Sequence, residues 1–478
     1  MAVAHLPERP DLGQLRKQAR EFQRAVRDGE PDALADAALD HPDPDFPLAR
    51  AQSMTARRHG FVSWPRLVRH VEAIRARLWE YCEPATNASP ADQFLRLACL
   101  NYAADDPTRP SQATTVLSEN PTLPSTDLAV AAVVGDVPAV RAALSRNASV
   151  ATEPTGPYDW SPLMYLAYGR VPTALADTIG AATLLLEAGA DVNDGRFFDG
   201  LPIPFTVLTG VFGGGENAQP PHPHSTALAR LLLERGAEPN DAQTLYNRMF
   251  TTADDFLEVL FEFGLGTGDG GPWRRELPDL LPSHTDALRD LLGWALNHDQ
   301  VDRVELLARH GVDVVSPLGT GRTPIEVAVG NGHTRLAARL AELGAAVPVL
   351  DPVEAFVAAV MSGDAAAVAG TPAAVVDAAR VARPELVVWA AGHGRVESVE
   401  LLVESRFDID ALGRSDLPVS EPWQTALHTA VERDDAAMIM RLLELGADAS
   451  VRDVRFDATP AQWADHLGHD DLAGLFEP

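Results

Sequence analysis

Two short runs of apolar residues stand between Thr425 and Ser450, each with spacings of three and four: Ala426, Leu427 and Ala430, then Met438, Ile439, Leu442 and Leu443. This period predicts two short amphipathic helices. Asp434 and Asp435 separate the runs, and Gly446 supplies the left-handed position that ends the second helix. A helix pair this short cannot bury its own apolar face. The pattern therefore predicts neighbours stacked on both sides.

Weaker copies of this unit fill most of the chain. The turn between the paired helices, Asp434 in the reference unit, is matched in other copies by Gly135, Asp299, Gly332 and Gly394. The helix-ending position, Gly446, is matched by Gly311, Gly344, Asn147 and Arg406. We expect Asn147 to be left-handed, because asparagine is the next-best choice after glycine. Repetition at fixed internal offsets predicts a helical solenoid.

Three sequence pieces carry a family resemblance. TALHTA (425–430), RTPIEVA (322–328) and DATPAQWA (457–464) resemble the T-P-L-H-x-A signature of ankyrin repeats. GADAS (446–450), GVDVV (311–315) and GADVN (189–193) resemble the loop after the second helix in that family. The resemblance covers roughly residues 126–478. His428 resembles the signature histidine, which implies a structural hydrogen bond.

The amino-terminal part carries a second resemblance. LRKQAR, RAVRDGEPDAL and HGFVSWPRLVRHVEAI are similar to a helical segment found on many bacterial ankyrin-repeat proteins. The expected fold is all-α, an α-solenoid of about ten ankyrin-type helix-turn-helix repeats preceded by a small helical module. We divide the chain into this module (1–82), a linker with degenerate capping helices (83–125) and the solenoid (126–478), with insertions near 194–225 and 264–286.

Charge is uneven along the chain. The net charge is −29, and residues 1–80 hold 13 Lys and Arg against 12 Asp and Glu, while the remainder holds 26 against 56. An acidic repeat region repels phosphate backbones, so no nucleic-acid partner is expected. No apolar run reaches the roughly 20 residues that span a bilayer, so no membrane partner is expected. Cys82 and Cys99 lack the spacing of a metal site, and we expect them to be reduced thiols in a cytoplasmic protein.

Catalytic signatures are absent from the sequence. It contains no HExxH, CxxC, GxSxG or P-loop motif, and we assign no catalytic residue and no cofactor. His222 and His224 are two residues apart, but no third ligand accompanies them. A flexible insertion therefore explains these histidines better than a metal site does.

Candidate partner-binding residues lie where the repeats depart from the reference unit. A lengthened finger (154–162) carries Tyr158, Asp159 and Trp160, and the helix after it carries Tyr165 and Tyr168. In ankyrin stacks the fingers and first helices line the concave face, so these aromatics are either anchors for a partner or packing between repeats. Secondary candidates are Tyr246, Asn247, Arg248 and Trp273. Trp389, Trp423 and Trp463 fall at or near first helices and are expected to pack the stack.

Two functions from different classes fit these observations. The favoured one is a non-enzymatic scaffold that binds another protein through the concave face and finger loops of an acidic solenoid. The alternative is an enzyme or small-ligand sensor with a pocket formed by the insertions over repeats two to four. That alternative requires His222 or His224 to converge with Asp254, Asp255 or Arg248. The sequence predicts neither the partner's identity nor an oligomeric state.

Overall fold

The computed structural model describes residues 6, 10–79, 88–103, 105–198, 201, 203–278, 280–414 and 422–476. It divides into two compact units, residues 1–291 and 292–478. Cys82 and the expected boundary at 82–83 lie outside the described residues. The predicted domain limits therefore remain predictions.

Four helices open the first unit and surround two small apolar cores. Their bounds are α1 Leu12–Asp28, α2 Pro31–Ala37, α3 Leu48–Arg58 and α4 Trp64–Ala76. Helix α1 begins where the Asp11 carboxylate accepts the Gln14 N–H, and it packs against α3. Its buried stripe includes Phe22 and Val26, as expected for an amphipathic helix.

Paired helices form the rest of the first unit, with a 3₁₀ turn at Ala148–Ala151. Their bounds are α5 Pro90–Ala98, α6 Arg109–Glu119, α7 Leu123–Thr126, α8 Leu128–Val134, α9 Val137–Arg146, α10 Pro162–Tyr168, α11 Leu175–Glu187, α12 Val207–Phe212, α13 Ser225–Glu234, α14 Ala242–Met249, α15 Asp255–Glu262 and α16 Gly271–Glu276. First helices contact first helices in the order α8, α10, α12 and α14. Second helices do the same in the order α9, α11, α13 and α15. This two-layer stacking is the arrangement that the repeated pattern predicted.

A small sheet lies within the otherwise helical first unit. Strand β1 (Leu78–Trp79) runs parallel to β2 (Gly195–Phe198), which runs antiparallel to β3 (Phe205–Thr206). In register, Trp79 stands opposite Phe198. Part of the segment predicted as an insertion near 194–225 thus forms two strands and the first helix α12. Segments of two to four residues are too short to show the alternation typical of a strand, so sequence periodicity did not predict them.

Helix α17 (His284–Asn297) spans the division between the two units. The second unit then contains α18 Val301–Arg309, α19 Pro324–Gly330, α20 Thr334–Glu342, α21 Pro352–Met361, α22 Ala365–Ala369, α23 Ala373–Ala382, α24 Leu386–Gly392, α25 Val396–Glu404, α26 Ala426–Glu432, α27 Ala436–Glu444, α28 Pro460–Leu467, α29 Asp470–Ala473 and a 3₁₀ turn at Gly474–Phe476. First helix α26 packs between α24 and α28, and second helix α25 packs against α27. The chain is mostly helical, whereas the count of about ten repeats remains a prediction.

The turn positions that match between the repeats share one backbone conformation. The backbone is left-handed at all five turn positions: Gly135, Asp299, Gly332, Gly394 and Asp434. Glycine or aspartate at this offset is explained by that requirement, because other residues adopt a positive φ at a cost.

The helix-ending positions have the left-handed backbone that the repeat pattern predicts, with one exception. Gly311, Gly344 and Gly446 have positive φ, and so does Arg406 (φ 62°), although glycine is lost there. The expectation for Asn147 is wrong, since its φ is −154°. Its side chain instead accepts the Ser149 N–H and caps the 3₁₀ turn that follows.

Candidate functional site

The aromatic residues predicted around the second repeat form a closed cluster. Trp160, Tyr165 and Tyr168 have no exposed surface, and Tyr158 is 4% exposed. Trp79 of β1 covers them, with its ring centroid 4.6 Å from Trp160, 5.9 Å from Tyr168 and 6.0 Å from Tyr158. The two alternatives of anchor and packing are therefore decided for these four rings. They pack within the unit and leave no face for a partner, which corrects their place among the contact residues.

Hydrogen bonds account for two of these hydroxyl groups. The Tyr165 hydroxyl donates to the Thr155 carbonyl (2.9 Å) and accepts the Tyr158 N–H (2.9 Å), which closes the finger onto helix α10. The Tyr168 hydroxyl donates to the Thr206 carbonyl at 3.0 Å. Burial raises the pKa of both phenols well above the ordinary value, so both remain neutral. These groups stabilise the fold.

The other candidates near the first insertion divide by exposure. Asp159 is exposed, and Tyr246 is 39% exposed with its hydroxyl donating to Glu216 at 2.7 Å. Asn247 is buried, and its amide donates to the Tyr102 hydroxyl at 3.2 Å. Arg248 is also buried, 3.3 Å from Asp255. Partner-binding candidates are expected at the surface, and burial corrects that expectation for Asn247 and Arg248.

Trp273 is half-buried beside the second insertion. Its indole N–H donates to the Asn193 carbonyl at 2.8 Å, and its ring meets Phe197 edge-on at 5.6 Å. The Arg77 guanidinium lies 4.9 Å from the ring centroid. Next to Trp273 the structure leaves a cavity of about 30 Å³, room for two or three water molecules. The second insertion therefore does not enclose a ligand-sized pocket at this place.

The two histidines of the first insertion make structural hydrogen bonds. His222 accepts the His224 N–H through Nδ1 at 3.0 Å, and His224 Nε2 lies 2.8 Å from the Thr173 carbonyl oxygen. Burial lowers the pKa of His222 to about 3, with further lowering from Arg170, so this ring is neutral. Within the described ranges no three His, Cys, Asp or Glu side chains come together as a metal-ion cluster.

An exposed aromatic groove lies in the second unit, between α26 and the start of α28. We call it the finger groove and define it by Trp423, Phe456, Trp463 and Leu467. The three aromatic rings lie 5.3 to 6.1 Å apart, and the open volume beside them is about 570 Å³. Phe456 is 69% exposed and Leu467 44% exposed, while both indoles are half-buried. Exposed apolar side chains grouped in this way are typical of interaction sites.

A single carboxylate shapes the finger that carries Phe456. Asp453 is buried and accepts the backbone N–H groups of Phe456 (2.6 Å) and Ala458 (3.1 Å), together with the indole N–H of Trp463 (3.0 Å). Desolvation raises the pKa of Asp453, but these hydrogen bonds outweigh it and hold that pKa below its ordinary value. The charged carboxylate therefore holds the loop that carries Phe456 against Trp463 of helix α28.

His428 connects helix α26 to that finger. Its Nε2 lies 3.0 Å from the Ala458 carbonyl oxygen, and its Nδ1 lies 2.8 Å from the Thr425 hydroxyl. Burial lowers the pKa of this histidine, which favours a neutral ring that donates to Ala458 and accepts from Thr425. The structural role implied for His428 by the sequence resemblance matches these contacts.

Sequence reasoning missed the finger groove. It assigned Trp423 and Trp463 to packing, and it did not single out Phe456. One signal was available, because Phe456 is a lone aromatic between Arg455 and Asp457 in a polar loop. Large apolar residues in such loops are seldom buried by the helices that flank them.

No helix in the described part of the chain has both the length and the apolar composition needed to cross a bilayer.

A search of curated proteins finds no match to the chain. A family model described as Ankyrin repeat matches residues 423–454, which contain Trp423, the helix pair α26 and α27, and the start of the finger. This match supports an ankyrin-repeat protein.

Proposed function

We propose that the chain is a non-enzymatic protein-binding scaffold that takes its partner at the finger groove. The observation that carries the proposal is Phe456, which is 69% exposed beside two half-buried indoles in the segment that follows the matched repeat. Ankyrin repeats generally mediate protein interactions. Aromatic anchors grouped in a partly desolvated pocket supply most of the binding energy in protein interfaces.

The charge around the groove indicates the chemistry of the partner. Exposed Glu432 and Asp457 line the groove, and residues 292–478 hold 29 Asp and Glu against 14 Arg and no Lys. Opposite charge accelerates association and excludes acidic competitors. We therefore expect a segment with one or two apolar side chains flanked by Lys or Arg. Asp159, Tyr246 and Trp273 remain predictions as secondary contacts in the first unit.

Affinity capture with matched variants tests this function. The wild-type chain, Phe456→Ser and Val381→Ser would each be used to recover proteins from the cells that encode the chain. Val381 on α23 is 85% exposed and lies outside the groove, so its variant controls for loss of any exposed apolar residue. We expect a partner retained by wild type and Val381→Ser to be lost with Phe456→Ser. Equal recovery by all three would contradict the proposed site.

Titration of the purified partner then measures how much Phe456→Ser weakens binding. Removal of a central aromatic anchor costs about 2 kcal/mol or more, which is roughly a 30-fold weaker Kd. The affinity should also fall with added salt, because the basic flanks of the partner face an acidic surface.

A further inference from the structure

The three aromatic rings of the finger groove lie close enough together to act on one cation. Their centroids are 5.3 Å (Trp423 and Trp463), 5.9 Å (Trp423 and Phe456) and 6.1 Å (Phe456 and Trp463) apart. A charge just above the centre of this triangle lies within about 6 Å of all three rings, the range in which an aromatic face attracts a cation. The planes of Trp423 and Phe456 meet at 80°, so these two rings bound a corner instead of stacking on each other.

Trp423 already carries a positive group in this structure. The guanidinium carbon of Arg455 lies over its ring, 4.4 Å from the centroid. Arg455 is exposed and could extend into water, so its place over the indole reflects attraction between the cation and the ring. Arg455 itself does not line the groove. The aromatic surface that does line the groove is therefore left for a second cation.

Carboxylates accompany these rings. Glu432 and Asp457 line the groove and are exposed, and the described lining contains no lysine or arginine. Asp457 lies 3.9 Å from the exposed Arg452, a distance at which water screens most of the attraction between them. Buried Asp453 accepts the Trp463 indole N–H at 3.0 Å. This hydrogen bond polarises the indole and makes its face more negative.

The aromatic wall favours a cation that has no N–H groups. A lysine ammonium has three N–H donors and holds its water strongly. The ring faces supply no oxygen or nitrogen acceptor, so an ammonium placed against them loses hydration without full compensation. A trimethylammonium group carries the same charge without a donor, and its methyl groups make apolar contact with the rings. The open volume of about 570 Å³ leaves room for this group and its stem.

We propose that the finger groove binds the trimethylammonium group of a trimethylated lysine in the partner protein. The head group lies over Trp423, Phe456 and Trp463, with its methyl groups against the rings. Glu432 and Asp457 attract the basic segment around it. The inference rests on the proposed function, because the modified lysine is the residue of the partner that enters the groove. It adds a positive charge at the centre of the contact, which a purely apolar anchor does not need.

Calorimetric titration of the full chain tests the site with three forms of acetyl-glycyl-lysyl-glycinamide. The first has an unmodified lysine, the second a trimethyllysine, and the third a neutral isostere in which carbon replaces the ammonium nitrogen. We expect the trimethylated peptide to saturate the groove at millimolar concentration or below, about tenfold more tightly than either other form. The isostere has the same shape, so its difference from the trimethylated peptide measures the effect of charge alone.

Choline is a fourth probe, because it carries the same head group on a small molecule. It should bind more weakly than the trimethylated peptide, since it lacks the lysine stem and the flanking backbone. Tighter binding by choline would assign the groove to a free quaternary ammonium compound and would overturn the proposal of a modified protein partner.

Phe456→Leu separates the attraction between cation and ring from apolar contact. Leucine keeps an exposed apolar side chain at this position but has no aromatic face. The tenfold preference for the trimethylated peptide over its isostere should therefore fall to about threefold, while the isostere binds as it does to wild type. Val381→Leu, at an exposed position of α23 outside the groove, is the matched control and should keep the full preference.

The proposal is overturned if no peptide saturates the groove, if the isostere or the unmodified peptide binds as tightly as the trimethylated one, or if Phe456→Leu keeps the tenfold preference. Affinity capture distinguishes this failure from that of the proposed function. A partner that is lost with Phe456→Ser but whose contact segment lacks trimethyllysine would refute this inference alone. Equal capture by wild type and Phe456→Ser would refute the proposed function, whichever peptide the groove prefers.

Discussion

The indole of Trp79 packs edge-on against that of Trp160, with ring centroids 4.6 Å apart and ring planes at 81°. Trp160 belongs to the finger that leads into first helix α10, whereas Trp79 ends the short strand β1. Trp79 thus covers the aromatic surface that the sequence offered as a candidate contact for a partner. The same chain provides both the surface and its cover.

Loss of either indole should destabilise the first unit. Trp79→Ala or Trp160→Ala removes a fully buried ring, and such truncations cost about 3–5 kcal/mol. Urea unfolding followed by circular dichroism measures the change. The double variant should recover about 0.5–1.5 kcal/mol of coupling, as expected for an edge-to-face pair. A midpoint that stays at the wild-type value in the single variants would show that the rings are not packed together.

Acidification should destabilise the second unit through His333. Burial lowers the pKa of this ring to about 3, with His393 (ring centroids 5.5 Å apart) and Arg395 (2.8 Å from Nδ1) adding to the effect. The unfolded chain takes up a proton near pH 6.5 but the folded chain only near pH 3. Between these values the unfolded state binds more protons, so stability falls with decreasing pH by up to about 1.4 kcal/mol per pH unit for this group.

His333→Asn tests that assignment. Asparagine keeps a polar side chain of similar reach but does not titrate, so the slope of stability against pH between about 6 and 4 should decrease relative to wild type. His310→Asn, at an exposed position, is the matched control. An unchanged slope in His333→Asn would assign the acid sensitivity to other groups.

The helix-ending positions allow a paired backbone experiment. Arg406 has φ 62° and should gain up to about 1 kcal/mol of stability when replaced by glycine. Gly446→Ala should lose about 1 kcal/mol, because φ is 98° there. A Cβ at Gly446 would meet no atom within 4 Å, so the loss reports the backbone alone. Thermal unfolding measures both changes in stability. Shifts of the same sign in the two variants would contradict the assignment of a left-handed residue to the helix-ending position of each repeat.

The parts of the fold that the sequence predicted are those with a local cause. Gly135, Asp299, Gly332, Gly394 and Asp434 share one offset because each turn needs a left-handed residue, and each has a positive φ. The stacking of α24, α26 and α28 follows from the three- and four-residue apolar spacing.

The site residues depend on contacts that no local pattern encodes. Tyr165 and Tyr168 are buried because Trp79, more than 80 positions earlier in the chain, is placed over the second repeat by a two-residue strand. The pairing of Leu78 with Phe197 has no period to read. Phe456 differs because it is exposed rather than buried. Its finger loop has no regular apolar spacing, and its exposure follows from the hydrogen bonds that Asp453 makes to the loop.

The most direct test of the central claim is site-specific photo-cross-linking in the cells that encode the chain. A benzoylphenylalanine placed at position 456 puts the reactive group in the finger groove, and the same residue at position 381 provides an exposed control. We predict one predominant cross-linked protein at 456, with apolar and basic side chains at the cross-linked segment, and none at 381. An identical set of cross-links at the two positions, or none at 456, would contradict the finger groove as the binding site.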